Sequence, residues 1–320
     1  MATNPVEALK KLKSPFSGRI ISDYMFKFFI IAIGVGVPIL MLYLYLDTLL
    51  STSIKGFQKL GVGGIINADW DIVGQKFGLL TFIYGTTITS LFALLIALPF
   101  SILSSVFIYE YVPMEFKSTI RNAIDVLAGI PSVIYGLWGI FILIPFLNST
   151  LFQFINDLSG GNKIVFTGYN IFTAGLVLAI MIIPILVNII MEGFDTVPKT
   201  QREALTSLGA TRWEVSKIVM VGSTKATIFT AVMLGLGRAL GETLAITMVI
   251  GNSNDFPNPF FNIFQPGQTI SSLLANEFGE ASGLQYIVLI EAALVLFIIT
   301  TVFNIIGIIV LHRLKGGDDK

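Results

Sequence analysis

The sequence predicts an all-α integral membrane protein with six transmembrane helices and both termini on the cytoplasmic side. Three observations carry this. Hydrophobic residues make up 54% of the 320 residues and charged residues only 12%, where a soluble domain carries about 25% charged residues. The apolar residues fall in long runs, each near the ~20 residues that cross a ~30 Å hydrocarbon core. Lysine and arginine gather in alternate connections, the bias that orients helices with their positive loops inside.

Residues 1–25 hold Lys10, Lys11, Lys13 and Arg19 and are polar enough to stay in water. The first span runs from Phe26 to Leu46. It is longer than the apolar part of a signal peptide and lacks a small-x-small cleavage site. Asp47 to Gly78 is mixed, interrupted by Gly56, Gly61, Gly63, Gly64 and Gly74, with Trp70 suited to a membrane surface. The second span covers Leu79 to Ile108 with Pro99 as a kink, tolerated where neighbours take up the freed carbonyl. Glu110 to Asn122 reads as a short polar connection with Lys117 and Arg121. A third span follows from Ile124 to Leu147, its first turns broken by Gly129-Ile130-Pro131-Ser132. Asn148 to Asn170 is a polar loop containing Gly160 and Gly161. The fourth span is Ile171 to Met191, with Pro184 inside it. The fifth, Ser223 to Ile250, follows a polar segment, 192–222. Gly251 to Gly283 is a loop with Pro257, Pro259 and Pro266, and the sixth span is Leu284 to Leu311.

With the N-terminus inside, Lys117, Arg121, Lys199, Arg202, Arg212, Lys217, Lys225, Arg313 and Lys315 join the N-terminal cations on the cytoplasmic side. The outer side receives only Lys55, Lys59, Lys76 and Lys163. The chain thus divides into 1–78 (tail, first span and outer segment), a five-span core over 79–312, and a cytoplasmic tail over 313–320.

Several chemistries are excluded. There is no cysteine, so no disulfide framework or thiolate site. The single histidine, His312, sits beside Arg313 at a membrane edge and supports no metal site or serine–histidine–acid set. No Gly-Lys dipeptide occurs, so the chain has no phosphate-cradling GxxxxGK[ST] loop. No catalytic residue and no cofactor on this chain are expected. Without an internal repeat, the inverted-repeat form of a secondary transporter is disfavoured.

Residues 192–222 read as helix, turn, helix. Pro198 suits a helix start, Gly209 a left-handed helix stop, and Thr211-Arg-Trp-Glu214 a capping box. A DNA-binding role is a third reading, disfavoured because both flanks enter the membrane within a few residues. An ordinary connector and a docking element remain.

Arg238 and Glu242 stand four apart in an apolar run, so on one helix they share a face and can pair. An arginine at mid-membrane costs about 2.5–3.5 kcal/mol on insertion scales and faces protein or water. It is either half of a structural ion pair or a group lining a path for an anion, since the guanidinium fork matches phosphate and carboxylate. Gly235, Gly237 and Gly241 leave little bulk on this helix. Gly237 and Gly241 form a small-xxx-small pair for helix contact, and Thr243 and Thr247 add hydroxyls. Glu291, inside the sixth span, pairs with a cation, lines the path or is protonated; these stay open.

Glu203-Ala204-Leu205, followed by Leu208 and Gly209, resembles the EAA loop of ABC importer permeases, although Val219, Val221 and Gly222 replace that family's Ile-x-Leu-Pro. LGLGRALGETLAITMVIGN (234–252), LAGIPSVIYGLWGIFILIPF (127–146) and SLLANEFGEASGL (272–284) resemble PstC-type phosphate permeases, so that the likeness covers most of 80–312. The resemblance implies a type I ABC importer permease fold in the bacterial cytoplasmic membrane. It implies a heterodimer with a PstA-type permease, a PstB-type ATPase dimer that binds ATP and Mg, and an outer PstS-type phosphate-binding protein. Arg238, Glu242, Thr243, Thr247 and Glu291 would serve the substrate pathway, and Glu203, Ala204, Leu205, Leu208 and Gly209 the ATPase coupling. An ion-coupled transporter using Arg238, Glu242 and Glu291 as a relay, a permease for another oxyanion, and an assembly subunit without transport are the competing readings.

Overall fold

The computed structural model describes residues 24–61, 63–158 and 168–315. The basic stretch with Lys10, Lys11, Lys13 and Arg19, the loop residues Gly160, Gly161 and Lys163, and the tail beyond Lys315 lie outside the described residues. Contacts divide the chain into two units, residues 1–54 and residues 55–320.

The smaller unit is the body of α1 (Tyr24–Lys59), an apolar helix with exposed side chains from Tyr24 to Tyr45. The larger unit begins within the last turns of α1. A single helical turn, Gly63–Ile66, leads to an antiparallel hairpin of β1 (Trp70–Asp71) and β2 (Lys76–Phe77), with Trp70 opposite Phe77. Trp70 is half-buried. Its ring meets Phe77 and Phe82 edge-on, each at 5.1 Å between centroids.

α2 (Leu80–Glu110) and α5 (Ile171–Asp195) form the central pair. Lipid tails are as apolar as leucine, so packing and polar contacts rather than water exclusion hold such helices together. Gly175 leaves room for the ring of Phe92, and Ser101 and Ser105 donate to the Ile183 and Val187 carbonyls at 3.4 and 3.3 Å. α5 starts where Asn170 accepts from the Thr173 amide at 2.8 Å, an N-cap that satisfies one of the free amides of the first turn.

The region expected as a connection followed by a third span is two helices. α3 (Met114–Ala128) is amphipathic, with Ile120 and Ile124 against Ile108, Val187 and Met191. Asp125 accepts from Asn188 at 2.6 Å, and Arg121 grips Asp195 at 2.7 and 3.1 Å. Proline disfavours helical geometry in the residue before it, and Pro131 thus separates α3 from α4 (Ser132–Ile155). The third crossing therefore begins and ends later than the hydropathy implies, at the same length of 24 residues. Within α4, Gly139–Leu143 and Asn148–Phe152 are widened π-turns.

α6 (Lys199–Ser207) and α7 (Arg212–Val221) are the anticipated helix-turn-helix. α8 (Lys225–Gly241) follows, bent by 70° from α7. The fifth span is not continuous to Ile250. The helix stops at Glu242, whose backbone is extended (φ −68°, ψ 129°), and resumes as α9 (Leu244–Val249). α10 (Ile270–Glu277) opens with a second capping box, Thr269 with Ser272, and buries Ile270 to Leu273. α11 (Gly283–Lys315) closes the described chain. Among the described residues, five helices are long and apolar enough to cross a membrane, six if the bent α7–α8 pair counts as one crossing.

One core joins α2, α4, α5, α8 and α9 through Val177, Leu178, Ile182, Leu186, Ala239 and Ile246. A second, at the hairpin end, joins Phe77, Leu79 and Phe82 to Ile270, Leu273, Leu289 and Ala292.

Candidate functional site

α8 has two unlike faces. One packs on α5, where a Cβ on Gly235 would press on Leu186 at 2.9 Å. The other carries Leu234, Arg238 and Gly241, all exposed, with Gly237 half-exposed. A Cβ added at Gly237 or Gly241 would meet nothing within 4 Å among the described residues, so against these the two glycines make no helix contact and leave the face open around the guanidinium. At 1.5 Å per residue, Arg238 stands roughly 20 Å along α8 from its start. If α8 enters the bilayer at its start, that distance falls inside a ~30 Å apolar slab.

Arg238 and Glu242 do not pair: among the described residues, the ion pairs are Arg121–Asp195 and Arg202–Glu110. Their four-residue helical spacing is interrupted at Glu242, which turns inward and is 9% exposed. Its Oε1 accepts from the Ala245 amide at 3.2 Å and so caps α9, while its own carbonyl accepts from Ser271 at 2.9 Å. Glu242 builds the break; Arg238 keeps an unpaired charge beside it. Tyr135 lies within electrostatic reach of Arg238 and donates to the Leu127 carbonyl at 2.8 Å. α4 reaches the break because Gly136 lets Ala245 and Met248 approach.

Thr243 donates to the Gly241 carbonyl at 3.3 Å, and Thr247 to the Thr243 carbonyl at 2.7 Å. Their hydroxyl protons satisfy the broken helix, leaving oxygen lone pairs as what they can offer a ligand. Glu291 is elsewhere. It is 1% exposed, its two oxygens lack a hydrogen-bond partner among the described residues, and it lies against Gly56 and Ile287. Among the described residues no bond links it to Arg238 or Glu242, so a three-residue relay is not assembled.

At the basic end, α6 splits its residues between two faces. Leu205 and Arg202 turn inward, while Glu203, Ala204 and Leu208 are exposed, Leu208 by 85%. Gly209 has φ +85°, the left-handed stop expected of it, and a Cβ there would meet nothing within 4 Å among the described residues. The turn is fixed by the capping box: Thr211 Oγ1 accepts from the Glu214 amide at 3.3 Å, and the Thr211 amide donates to Glu214 Oε2 at 2.8 Å. These bonds from the Thr211 backbone and hydroxyl hold the Glu214 carboxyl below its ordinary range. The result is an exposed leucine beside a small residue and an acid, on a helix fixed at its end.

Sequence reasoning missed Glu110, which it left in a connection. The residue ends α2, forms an ion pair with Arg202, and accepts from Ser216 Oγ at 2.7 Å. The available signal was an acid at the C-terminal end of a long helix, where the dipole disfavours it unless a cation answers.

Residues 97–316 match the family described as binding-protein-dependent transport system inner membrane component. A phosphate transport system permease protein PstC of Haemophilus influenzae is 40% identical over 86% of this chain and 89% of its own. The protein of that name from Mesorhizobium japonicum is 40% identical over 84% of each. A probable one from Methanocaldococcus jannaschii is 38% identical over 82% and 85%. With its apolar helices and these matches, the chain is a multi-pass membrane protein and belongs to the family of binding-protein-dependent transport system inner membrane components, on the PstC-type branch.

Proposed function

We propose that this chain is the permease subunit of an ATP-driven ABC importer that moves inorganic phosphate across the bacterial cytoplasmic membrane. The carrying observation is the open face of α8, on which an unpaired Arg238 stands at membrane depth among glycines, in a chain whose relatives are phosphate permeases.

An exposed guanidinium offers forked donors to a tetrahedral oxyanion and remains hydrated enough to release it. Glu242 serves the path by holding the break open, and the lone pairs of Thr243 and Thr247 accept from a protonated phosphate. Glu291 supports the path as a buried group away from Arg238. A PstA-type permease facing α8 would close the path and cover Gly237 and Gly241. A PstB-type ATPase dimer, which binds the ATP and Mg, would dock on Glu203, Ala204, Leu205, Leu208 and Gly209. A PstS-type phosphate-binding protein would deliver substrate at the hairpin end. Membrane lipid covers the remaining apolar surface.

The assembled complex in liposomes tests this. Phosphate uptake should require ATP on the α6 side and survive collapse of the proton gradient. Uptake that persists without the ATPase, or stops when the gradient collapses, would reveal an ion-coupled transporter instead.

A further inference from the structure

We propose that Glu110 is the pin that fastens the coupling segment to the transmembrane core, so that movement imposed on α6 is delivered to α2 and, through it, to α5. The inference rests on the docking role given to α6 above and adds residues to which that role assigned nothing.

One residue at the end of α2 is held by both helices of the segment. Arg202 of α6 forms an ion pair with its carboxylate, and Ser216 of α7 donates to the same oxygen at 2.7 Å. Arg212, also of α7, donates to the Glu110 backbone carbonyl at 3.1 Å. That carbonyl is one of the unsatisfied acceptors at a helix C-terminus, where a cation is favoured. The Arg202 guanidinium lies 4.3 Å over the ring of Tyr109 on α2 and 5.7 Å over that of Phe194 on α5. So α6, α7, α2 and α5 meet at one point.

The joint is sheltered, the Arg202 and Glu110 side chains being 13% and 14% exposed. Water therefore does not replace the pair readily, and removing one partner leaves the other charge uncompensated. Arg202 precedes Glu203 in sequence and points the opposite way. One face of α6 is left for a partner and the other is tied to the core, which is the arrangement of a lever.

Within the joint, the charge contact itself is one bond. Arg202 engages Glu110 through Nη1 alone, and its Nε and Nη2 have no hydrogen-bond partner among the described residues. A forked grip would add a second bond to the carboxylate; here the guanidinium is held by one bond to Glu110 and by the rings of Tyr109 and Phe194. Glu110 and Arg202 are positioning residues, distant from Arg238.

The test uses the whole complex in liposomes with phosphate-loaded binding protein, comparing wild type, Glu110→Gln, Arg202→Met and the double variant. Three quantities are read: ATPase co-purified with the chain, ATP hydrolysed, and phosphate moved per ATP. The expected result is retained ATPase and continued hydrolysis, with phosphate per ATP falling by about fivefold or more in each single variant, the lower end of ordinary coupling energies. The double variant should be no worse than the poorer single, because both remove one shared interaction. An unchanged ratio in the singles, or losses that multiply in the double, would overturn the proposal. So would variants that shed the ATPase while wild type keeps it, since that is assembly and not transmission. Wild type that never retains an ATPase would instead overturn the docking role of α6, before any variant is compared.

Discussion

Ser271, in the first turn of α10, donates its hydroxyl to the backbone carbonyl of Glu242 at 2.9 Å. The bond joins the buried start of α10 to the place where the fifth span breaks, and it occupies a carbonyl that no helical amide reaches. Ser271→Ala would leave that buried acceptor unsatisfied, at a cost of about 1–3 kcal/mol. The expected outcome is a lower melting temperature in detergent together with reduced uptake, as the break loses its fixed shape. Unchanged melting and uptake would show that the break is held without it.

Glu291 and Gly56 are tested as a pair. The carboxylate lies where a Cβ on Gly56 would have to go, with Ile287 also close. Gly56→Ala should therefore destabilise the chain by about 1–3 kcal/mol, the usual cost of overfilling a packed site. Glu291→Ala should relieve most of that loss, whereas Glu291→Gln, of the same size, should not. Melting of wild type, the three single variants and the two doubles in detergent gives both cycles, and equal Gly56→Ala penalties in every background would remove the steric account.

Gly209 holds φ +85°. In that region an L-residue with a Cβ carries about 1–2 kcal/mol of strain. Gly209→Ala should shift the end of α6 and weaken ATPase retention, and Gly209→Asn should do so less, because asparagine tolerates the left-handed helix stop better. The ATPase co-purified with each variant is the readout. Alanine and asparagine behaving alike would argue against a backbone cause.

The capping box predicts a pH effect with a definite sign. The Glu214 carboxyl is held below its ordinary range by bonds from Thr211. A group whose folded-state pKa is depressed contributes stability above its unfolded value and loses it as pH falls through the folded one. The first turn of α7 should therefore loosen only in acid, below the ordinary glutamate range. Hydrogen exchange at the Glu214 and Val215 amides, corrected for the intrinsic effect of pH, should rise there in wild type. Thr211→Ala should exchange faster throughout, with a smaller dependence on pH.

Much of this organisation was legible in the chain. Apolar runs located the crossings because one residue in two or more is hydrophobic, and Pro198, Gly209, Thr211 and Glu214 marked the helix-turn-helix by local rules that need no tertiary partner. Hydropathy failed where an interruption is polar but buried. It ran a helix through Glu242, whose side chain caps α9 from within, and it merged α3 with α4 because both are apolar on one side. The Glu110 joint was beyond its reach, since its partners lie 92 and 106 residues away. Arg238 was found by its cost in a membrane, while the absence of its expected partner depended on backbone geometry at Glu242.

The central claim is that the unpaired Arg238 lies in the path of phosphate. The most direct test is radiolabelled phosphate uptake at micromolar concentration in cells carrying wild type, Arg238→Ala or Arg238→Lys, with membrane level and co-purified ATPase measured alongside. An exposed, unpaired arginine contributes little to folding, so intact complexes are expected throughout. Uptake should be lost in Arg238→Ala and partly kept in Arg238→Lys, which retains the charge without the fork. Undiminished uptake by an intact Arg238→Ala complex would contradict the account and place the path away from this face of α8.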